Sequence, residues 1–419
     1  WFGPSRSPGG VEARDWEVIG VGDGFRVYPH PTQPHIMYSE MQGAETIWRY
    51  DHKIRQTKVI TPFKTKGDPK LRYNWNAPIT TSSNNPDRLY VGSQFVHVSN
   101  DKGDTWTKIS PDLTTNNPLK LNQAASGGLS VDNSGAENHC TIFTIAESSL
   151  DQQVIWVGTD DGNVQVTQDG GKSWSNVTAG LFTAKLPANT WCYHIEASVF
   201  DKGTAYAVFD GHTKNDGKTY CYKTTDFGKT WTSLADKNVY GFARSFQEDY
   251  KNKDLLFLGT EFGLYISVDG GSNWMKFENN MPATAVHYIE LHPKTHDLIL
   301  GTHGRGIIIL DDISPLRQIT DKIISEEVHF MEMPIFYMDE ESTFGGTSGE
   351  TQFVGANPTS GARISYFMAK RHTFGKMRMK VVDKDGDFVA NLSAEKKKGL
   401  NLVYWNFYGS SPKAAGGKT

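Results

Sequence analysis

The sequence predicts an all-β protein that consists mainly of a multi-bladed β-propeller followed by a small immunoglobulin-like β-sandwich. An octapeptide with an Asp, a Gly and a final Trp recurs four times along the 419 residues. Each copy follows a very apolar strand pattern, and the units succeed one another at intervals of roughly 40 to 70 residues, which is typical of propeller blades with insertions. The composition agrees, because 12% aromatic residues and 41 glycines suit many short strands joined by tight turns.

The octapeptide is a hairpin signature, since alternating apolar residues flank it on both sides. Its copies are SNDKGDTW at 99–106, TQDGGKSW at 167–174, TTDFGKTW at 224–231 and SVDGGSNW at 267–274. We expect the Asp to accept hydrogen bonds from turn amides, the Gly to adopt a positive φ, and the Trp to bury on the order of 200 Å² between sheets. The structural residues are therefore Asp101, Gly103, Trp106, Asp169, Gly171, Trp174, Asp226, Gly228, Trp231, Asp269, Gly271 and Trp274.

Two further strands precede each octapeptide, so four strands make one blade. The strand that precedes the octapeptide hairpin is apolar, as in RLYVGS and VIWVGT, and an inner strand such as TIFTIAES or YHIEASVF comes before it. These two strands and the two strands of the hairpin make up the blade. An early blade that starts at GFRVYPHP lacks the Asp turn, and a late blade that ends at RGIIILDD lacks an outer strand. About six blades are visible. DWEVIG at 15–20 is typical of the outermost strand of an earlier blade, so we expect a ring that is incomplete without upstream residues or is completed by another chain.

The pattern changes after the last blade, which predicts three regions. Residues 1–322 form the propeller blades, 323–358 a linker, and 359–419 a partial immunoglobulin-like β-sandwich with strands such as RISYFMA and GLNLVYWNFYG. DKDGD at 383–387 is predicted to be a hairpin tip rather than a calcium loop, because its Gly is misplaced and no Glu follows at the required spacing.

Composition excludes several classes of function. The formal net charge is −4 with no basic run, so we expect no nucleic-acid partner. No stretch approaches the roughly 20 apolar residues that cross a bilayer, which predicts no transmembrane segment. The three cysteines have no metal-ligand spacing, and we predict neither a metal nor a cofactor. Whether Cys192 and Cys221 form a disulfide stays open.

The four octapeptides resemble the Asp-box, or BNR repeat, of sialidases, sortilin-type receptor domains and xyloglucan-cleaving propellers. The resemblance also implies that the repeats of this chain are WD40/YVTN-like. Linking phrases such as VIWVGTDDGNVQVTQDGGKSW and GTHGRGIIILDDISPL are similar to the bacterial sortilin-like BNR-repeat family, over about residues 14 to 320. The resemblance implies further blades upstream and a secreted or outer cell-surface location. It also implies an immunoglobulin-like module as in Bacteroidetes substrates of type nine (type IX) secretion.

Ligands of propellers usually bind at a mouth of the central channel, where the inner strands end. Ten polar residues there are our ligand-binding candidates: Arg26, Asn74, His194, Glu196, Asp210, His212, Arg244, Glu261, His303 and Arg305. Five more occupy the same region: Arg72, Asn76, Glu147, His287 and Glu290. The alternative is that such groups hydrogen-bond to one another and lock adjacent blades together.

The sequence favours a non-catalytic module that binds a protein or glycan partner, or assembles with one, at the cell surface, with no catalytic residue assigned. The alternative is a glycoside hydrolase. A sialidase-like site would clamp a carboxylated sugar with Arg26, Arg244 and Arg305. A xyloglucanase-like site would use two opposed carboxylates drawn from Asp160, Asp161, Asp210 and Glu261.

Overall fold

The computed structural model describes residues 1–7, 9–122, 138–333, 353–359 and 361–409. Antiparallel β-sheet dominates these residues, and the two α-helices among them are short, Thr178–Thr183 and Asp321–Ser325. The chain falls into two compact units. Unit 1 contains Trp1, Val18–Leu291 and Ile299–Ile309, and unit 2 contains Phe2–Glu17, His292–Leu298 and Leu310–Thr419.

Unit 1 consists of successive antiparallel sheets, the blades, in which each strand pairs with the next one along the chain. The strands of blade 1 are Val27–Pro29, Ile36–Glu40, Ile47–Asp51 and Gln56–Val59. The strands of blade 2 are Ile79–Thr81, Leu89–Gly92, Val96–Ser99 and Thr107–Lys108. The strands of blade 3 are Ile142–Ser148, Asp151–Thr159, Val164–Thr167 and Ser175–Asn176.

The other three blades continue the same order. Blade 4 contains Trp191–Ala197, Ala205–Asp210, Tyr220–Thr224 and Thr232–Ser233. Blade 5 contains Ala243–Glu248, Leu256–Thr260, Gly263–Ser267 and Met275–Lys276. Blade 6 has three strands among the described residues, Ala285–Leu291, Leu298–His303 and Ile307–Leu310. The predicted all-β propeller architecture is confirmed.

In several blades the second strand is buried on both faces. Leu89–Gly92, Ala205–Asp210 and Leu256–Thr260 are buried at every position. A strand covered on both faces has no polar side to present, which explains why these segments read as continuous apolar runs rather than alternating ones. Tyr206 of blade 4 stacks on Phe246 of blade 5 with ring centroids 4.5 Å apart, so the core lies between blades.

The octapeptide aspartates brace their own turns. Asp101 Oδ1 accepts hydrogen bonds from the backbone N of Thr105 at 2.9 Å and from Ser99 Oγ at 2.7 Å, and its Oδ2 accepts one from Thr105 Oγ1 at 2.6 Å. Bonds to the charged form favour it, so the Thr105 hydroxyl, more than any other contact, lowers the pKa of Asp101 to about 2. The other three copies make the same set of bonds.

Each octapeptide glycine also lies against an apolar residue of the preceding blade. A Cβ at Gly103 would stand 2.6 Å from Ile60 Cδ1, far inside van der Waals contact, and its φ is +88°. The same packing recurs between Gly171 and Ile109, Gly228 and Val177, and Gly271 and Leu234. Glycine is therefore required for close approach as well as for the turn.

The octapeptide tryptophans tie neighbouring blades together. The indole Nε1 donates to the carbonyl of the same apolar residue in three copies: Trp106 to Ile60 at 2.7 Å, Trp174 to Ile109 at 3.0 Å, and Trp274 to Leu234 at 2.9 Å. Trp231 differs, since its Nε1 donates to Gly228 O at 3.0 Å within its own turn. There the helix Thr178–Thr183 follows Val177, and its Gly180 packs against the indole.

A second bond between blades joins a core tyrosine to a glutamate at the end of the next inner strand. The Tyr90 hydroxyl of blade 2 donates to Glu147 Oε2 of blade 3 at 2.6 Å. The Tyr206 hydroxyl of blade 4 donates to Glu248 Oε1 of blade 5 at 2.8 Å. Glu147 is thus part of a buried structural network, which was the alternative that the sequence left open for such groups.

Unit 2 contains three small sheets. Val11–Glu12 pairs with Val354–Gly355, Arg378–Val382 pairs with Phe388–Ser393, and a three-stranded sheet contains Val328–Phe330, Ala362–Met368 and Gly399–Trp405. Asp383 Oδ1 accepts the amides of Asp385 and Asp387, both at 2.9 Å, within the hairpin turn. The region boundaries at 322 and 358 and the immunoglobulin-like label stay predictions. Residues 334–352 of the predicted linker and 410–419 of the predicted module lie outside the described residues.

Sheet geometry answers the open question about the cysteines. Cys192 pairs in register with Phe209 and Cys221 pairs with Val208, and these two partners are consecutive on one strand. Consecutive strand residues point to opposite faces of a sheet. The two thiols therefore lie on opposite sides of blade 4, and all three cysteines are free and buried.

Candidate functional site: a pocket among the inner strands

All six blades contribute to one pocket of about 650 Å³, which we call the central pocket. Inner strands, or the segments leading into them, supply most of its wall. Its lining residues are Phe25, Arg26, Val27, Tyr28, Asn74, Trp75, Asn76, Phe143, Trp191, Tyr193, His194, Arg244, His287, Tyr288 and His303.

Aromatic rings form much of this wall. Phe143 meets Trp191 edge-on with centroids 4.7 Å apart, and Tyr193 lies 4.8 Å from Phe143 and 5.5 Å from Trp191. Elsewhere in the pocket, the hydroxyls of Tyr28 and Tyr288 are 3.4 Å apart. Rings in mutual contact lose little conformational entropy when a ligand binds, so this wall is a preformed apolar surface.

Three of the lining side chains owe their position to a β-bulge that recurs in blades 3, 4 and 5. The register of the inner strand against its neighbour shifts once near the start of the strand, at Phe143, Tyr193 and Arg244. A bulge adds one residue and re-aims its side chain, which is a common device beside binding sites. The bulge in blade 4 allows consecutive residues, Tyr193 and His194, to face the same pocket.

Arg244 is the centre of a polar cluster at the pocket. Its Nε donates to Asp210 Oδ2 at 2.9 Å, and its Nη1 donates to His287 Nε2 at 3.0 Å. Asp210 Oδ1 also lies 2.7 Å from His212 Nδ1, and the Asp210 carboxylate is fully buried. Burial, followed by the charge of Arg244, lowers the pKa of His287 to about 4. His287 is therefore neutral at pH 7, and its Nε2 accepts the bond.

Arg26 differs from Arg244 because it forms no ion pair with any carboxylate among the described residues. Its surroundings are the phenol groups of Tyr28, Tyr288 and Tyr193. Glu40 Oε1 accepts the backbone amides of Phe25 and Arg26, at 3.1 and 3.2 Å, and burial raises the pKa of Glu40 to about 8.

Two carboxyl groups lie next to the pocket along the same strands as its lining residues. Glu196 follows His194 by two residues in blade 4, and Glu290 follows Tyr288 by two in blade 6, so each carboxyl shares a sheet face with a pocket residue. Glu196 Oε2 is 3.9 Å from His194 Nε2 and has no hydrogen-bond partner in the part of the chain that the structure describes, and the Glu196 side chain is 14% exposed. The Tyr288 hydroxyl donates to Glu290 Oε2 at 3.3 Å.

Burial raises the pKa of both groups, that of Glu196 well above its ordinary value. Repulsion from Glu248 and Glu290 adds to the effect of burial on the pKa of Glu196. Glu196 Oε1 accepts from Gln247 Nε2 at 2.9 Å and from the amide of Glu248 at 3.0 Å, which fixes the orientation of the carboxyl plane.

The structure brings most of the ten candidate residues together. Arg26, Asn74, His194, Arg244 and His303 line the central pocket, while Glu196, Asp210 and His212 contact residues that line it or belong to its polar cluster. Glu261 and Arg305 are not among the lining residues. The trio of arginines is not assembled, because Arg305 lies exposed in the turn of Gly304 and Gly306, where its Nη1 donates to Gly304 O at 3.2 Å.

The carboxylates that the sequence offered for a xyloglucanase-like site do not line the pocket. Asp160 is buried and accepts from Asn74 Nδ2 at 3.0 Å and from Thr141 Oγ1 at 2.6 Å, and burial raises its pKa to about 6. Asp161 accepts from the amide and hydroxyl of Thr115. Sequence reasoning missed the aromatic wall.

No protein-family model matches the chain. Two curated relatives match about half of it. A probable oligoxyloglucan-reducing end-specific xyloglucanase from Neosartorya fischeri is 22% identical over 239 residues, which is 53% of this chain and 25% of the relative. An oligoxyloglucan-reducing end-specific xyloglucanase from Emericella nidulans is 23% identical over 233 residues, with the same coverage. The chain thus spans about a quarter of the length of the curated relatives it matches.

Solved structures with similar folds include an ancestral GH74 enzyme, at 16% identity and a TM-score of 0.49 over 69% of this chain and 36% of that one. The GH74 xyloglucanase from Xanthomonas campestris has 17% identity and a TM-score of 0.47, over 68% of this chain and 44% of that one. No helix among the described residues is long and apolar enough to cross a membrane.

The prediction of a non-catalytic binding or assembly module is wrong. Both curated relatives are named as xyloglucanases, so the relatives favour the alternative, a glycoside hydrolase. The error came from the polar residues of the channel mouth, because their types alone do not distinguish a structural network from a catalytic one.

Proposed function

We propose that the protein is a glycoside hydrolase that binds a glycan in the central pocket and cleaves it with Glu196 and Glu290. One observation carries the proposal: two carboxyl groups of raised pKa lie beside an aromatic pocket, on the strands that line it. The xyloglucanase relatives support it independently. Xyloglucan, a β-linked glucan with sugar side chains, is therefore the first substrate to test.

The wall is suited to sugar rings. A pyranose presents a face of C–H groups that packs on aromatic rings, and its hydroxyls need a few well-placed polar partners at the edges. Trp191 and Tyr288 are partly exposed within the pocket, and Asn76 and His303 offer polar groups beside them.

Glycosidic cleavage needs a proton donor for the leaving oxygen and a second carboxyl that activates water or attacks the sugar. Glu196 suits the first role, because burial raises its pKa well above its ordinary value and so favours the protonated form, and its Oε2, which has no hydrogen-bond partner among the described residues, can carry the proton. Glu290 suits the second role, because the Tyr288 hydroxyl orients it and this hydrogen bond favours the ionised form of the carboxyl against the effect of burial on its pKa.

The finer assignments from the sequence are part of this proposal. The linking phrases and octapeptides support a bacterial sortilin-like BNR-repeat protein, secreted or held at the outer cell surface. A polymeric glycan substrate supports the same location, because an enzyme must meet such a polymer outside the cell.

The test is release of reducing sugar from xyloglucan and other soluble glycans by the purified chain. Glu196→Gln and Glu290→Gln should each lower kcat by about 10²–10⁴-fold, the usual contribution of acid–base catalysis. Glu278→Gln, at an exposed glutamate of blade 5, is the matched control and should retain the wild-type rate. Full activity in either pocket variant, or no activity of the wild type on any glycan, would refute the proposal.

A further inference from the structure

The charges that line the central pocket are all of one sign. Its lining contains two arginines and three histidines, and none of its described lining residues is an aspartate or glutamate. Burial lowers the pKa of His194 to about 3 and that of His287 to about 4, so neither imidazole is charged at pH 7. Arg26 and Arg244 are therefore the lining groups whose positive charge needs an explanation.

The positive charge of Arg244 is balanced by a carboxylate, whereas no carboxylate among the described residues pairs with Arg26. The guanidinium of Arg244 is neutralised by the buried carboxylate of Asp210 at 2.9 Å, and it packs over Tyr193 and Phe242. Arg26 is partly buried among phenol groups and has a side-chain hydrogen bond with one of them, that of Tyr28, but it forms no ion pair with a carboxylate among the described residues. Glu40, which approaches its backbone, has a pKa of about 8 and is mostly protonated at pH 7.

An unpaired guanidinium in a partly desolvated site is unfavourable unless an anion arrives to meet it. Its planar donors fit a carboxylate, and a sulfate also offers suitable acceptors. The raised pKa of Glu196 reduces the repulsion that this carboxyl group would exert on such an anion.

We propose that the central pocket selects a sugar unit that carries a negative charge, such as a uronate, and that Arg26 binds that charge. This inference rests on the proposed function, because it names the class of glycan that the hydrolase prefers. The neighbouring rings hold the sugar while the guanidinium of Arg26 meets its anionic group.

The experiment compares two oligosaccharides that differ in one group. One is a xyloglucan oligosaccharide with a terminal galactose, and the other is the same compound oxidised at C6 of that galactose to a uronate. Calorimetric titration of the Glu196→Gln protein should give an affinity for the uronate about ten-fold or more above that for the parent, as a charge-assisted bond provides. A 6-sulfated form of the oligosaccharide tests whether a sulfate raises the affinity as much as a carboxylate does. A higher affinity for either anionic form supports the proposal.

Arg26→Gln, made in the same background, should remove the difference between the two compounds, and Arg26→Lys should restore part of it in a salt-sensitive way. Arg305→Gln is the matched control, since Arg305 lies outside the pocket lining, and it should keep the full difference. The proposal would be overturned if the Glu196→Gln protein bound the parent, uronate and sulfated oligosaccharides with equal affinity. A preference for the uronate that survives Arg26→Gln would overturn it as well. If wild type hydrolyses the parent without preferring the uronate, charge selection fails alone; if nothing binds and nothing is cleaved, the proposed function fails as well.

Discussion

Single residues of the octapeptide serve both the turn and the contact with the next blade. Gly103 combines a positive φ with a site where Ile60 leaves no room for a Cβ. Gly67 has a similar φ of +95°, but a Cβ added there would meet no atom within 4 Å. These two glycines separate the conformational requirement from the packing requirement.

We therefore expect Gly103→Ala to lower the free energy of unfolding by about 2–4 kcal/mol, from backbone strain together with overpacking. Gly67→Ala should lower it by about 1 kcal/mol, from strain alone. Urea denaturation of both variants measures this difference. Equal costs at the two positions would show that contact with the preceding blade does not matter.

The octapeptide aspartates predict how stability depends on pH. Hydrogen bonds from their turns lower the pKa of Asp101 and Asp169 to about 2, below that of the unfolded chain near 4. Their contribution is therefore fully present above about pH 4 and is lost as the pH falls towards 2. A variant with Asn at Asp101, Asp169, Asp226 and Asp269 should show a smaller fall in melting temperature between pH 5 and 2 than wild type. The same fall in both proteins would contradict this account.

Whole strands are held together across blades by the tyrosine–glutamate bonds at their ends. Tyr206→Phe removes the donor to Glu248 and leaves that carboxylate short of one partner, so we expect a loss of about 1–2 kcal/mol of unfolding free energy. Tyr240→Phe, at a tyrosine that is 62% exposed, should change it by less than about 0.5 kcal/mol. Thermal and urea unfolding test the pair, and an unchanged stability of Tyr206→Phe would contradict the role of this bond.

The strand pattern could be predicted where local chemistry repeats. Asp, Gly and Trp at fixed spacing determine a braced turn without help from distant residues, so the blades follow from the sequence. The bulges at Phe143 and Tyr193 could not be predicted, because one extra residue interrupts the alternation at a single position, which is too weak a signal in a short strand.

The pocket is a property of the whole of unit 1, since every blade contributes at least one lining residue. Sequence could name polar residues at inner-strand ends, yet it could not decide which of them face a common space. Arg305 and Glu196 illustrate this limit: the arginine lies in an exposed turn, while the glutamate lies against the pocket through His194. The direction in which each side chain points, rather than its residue type, decides which of these two residues lies at the pocket.

All six blades contribute to the central pocket, and the proposed chemistry requires a glycan to bind there. The most direct measurement is a crystal structure of the Glu196→Gln protein soaked with a xyloglucan oligosaccharide or its uronate form. We predict sugar rings packed on Trp191 and Tyr288, with a glycosidic oxygen near residue 196 and Glu290 on the other side of the cleaved bond. Sugar bound elsewhere on the blades, with the central pocket empty, would contradict the account.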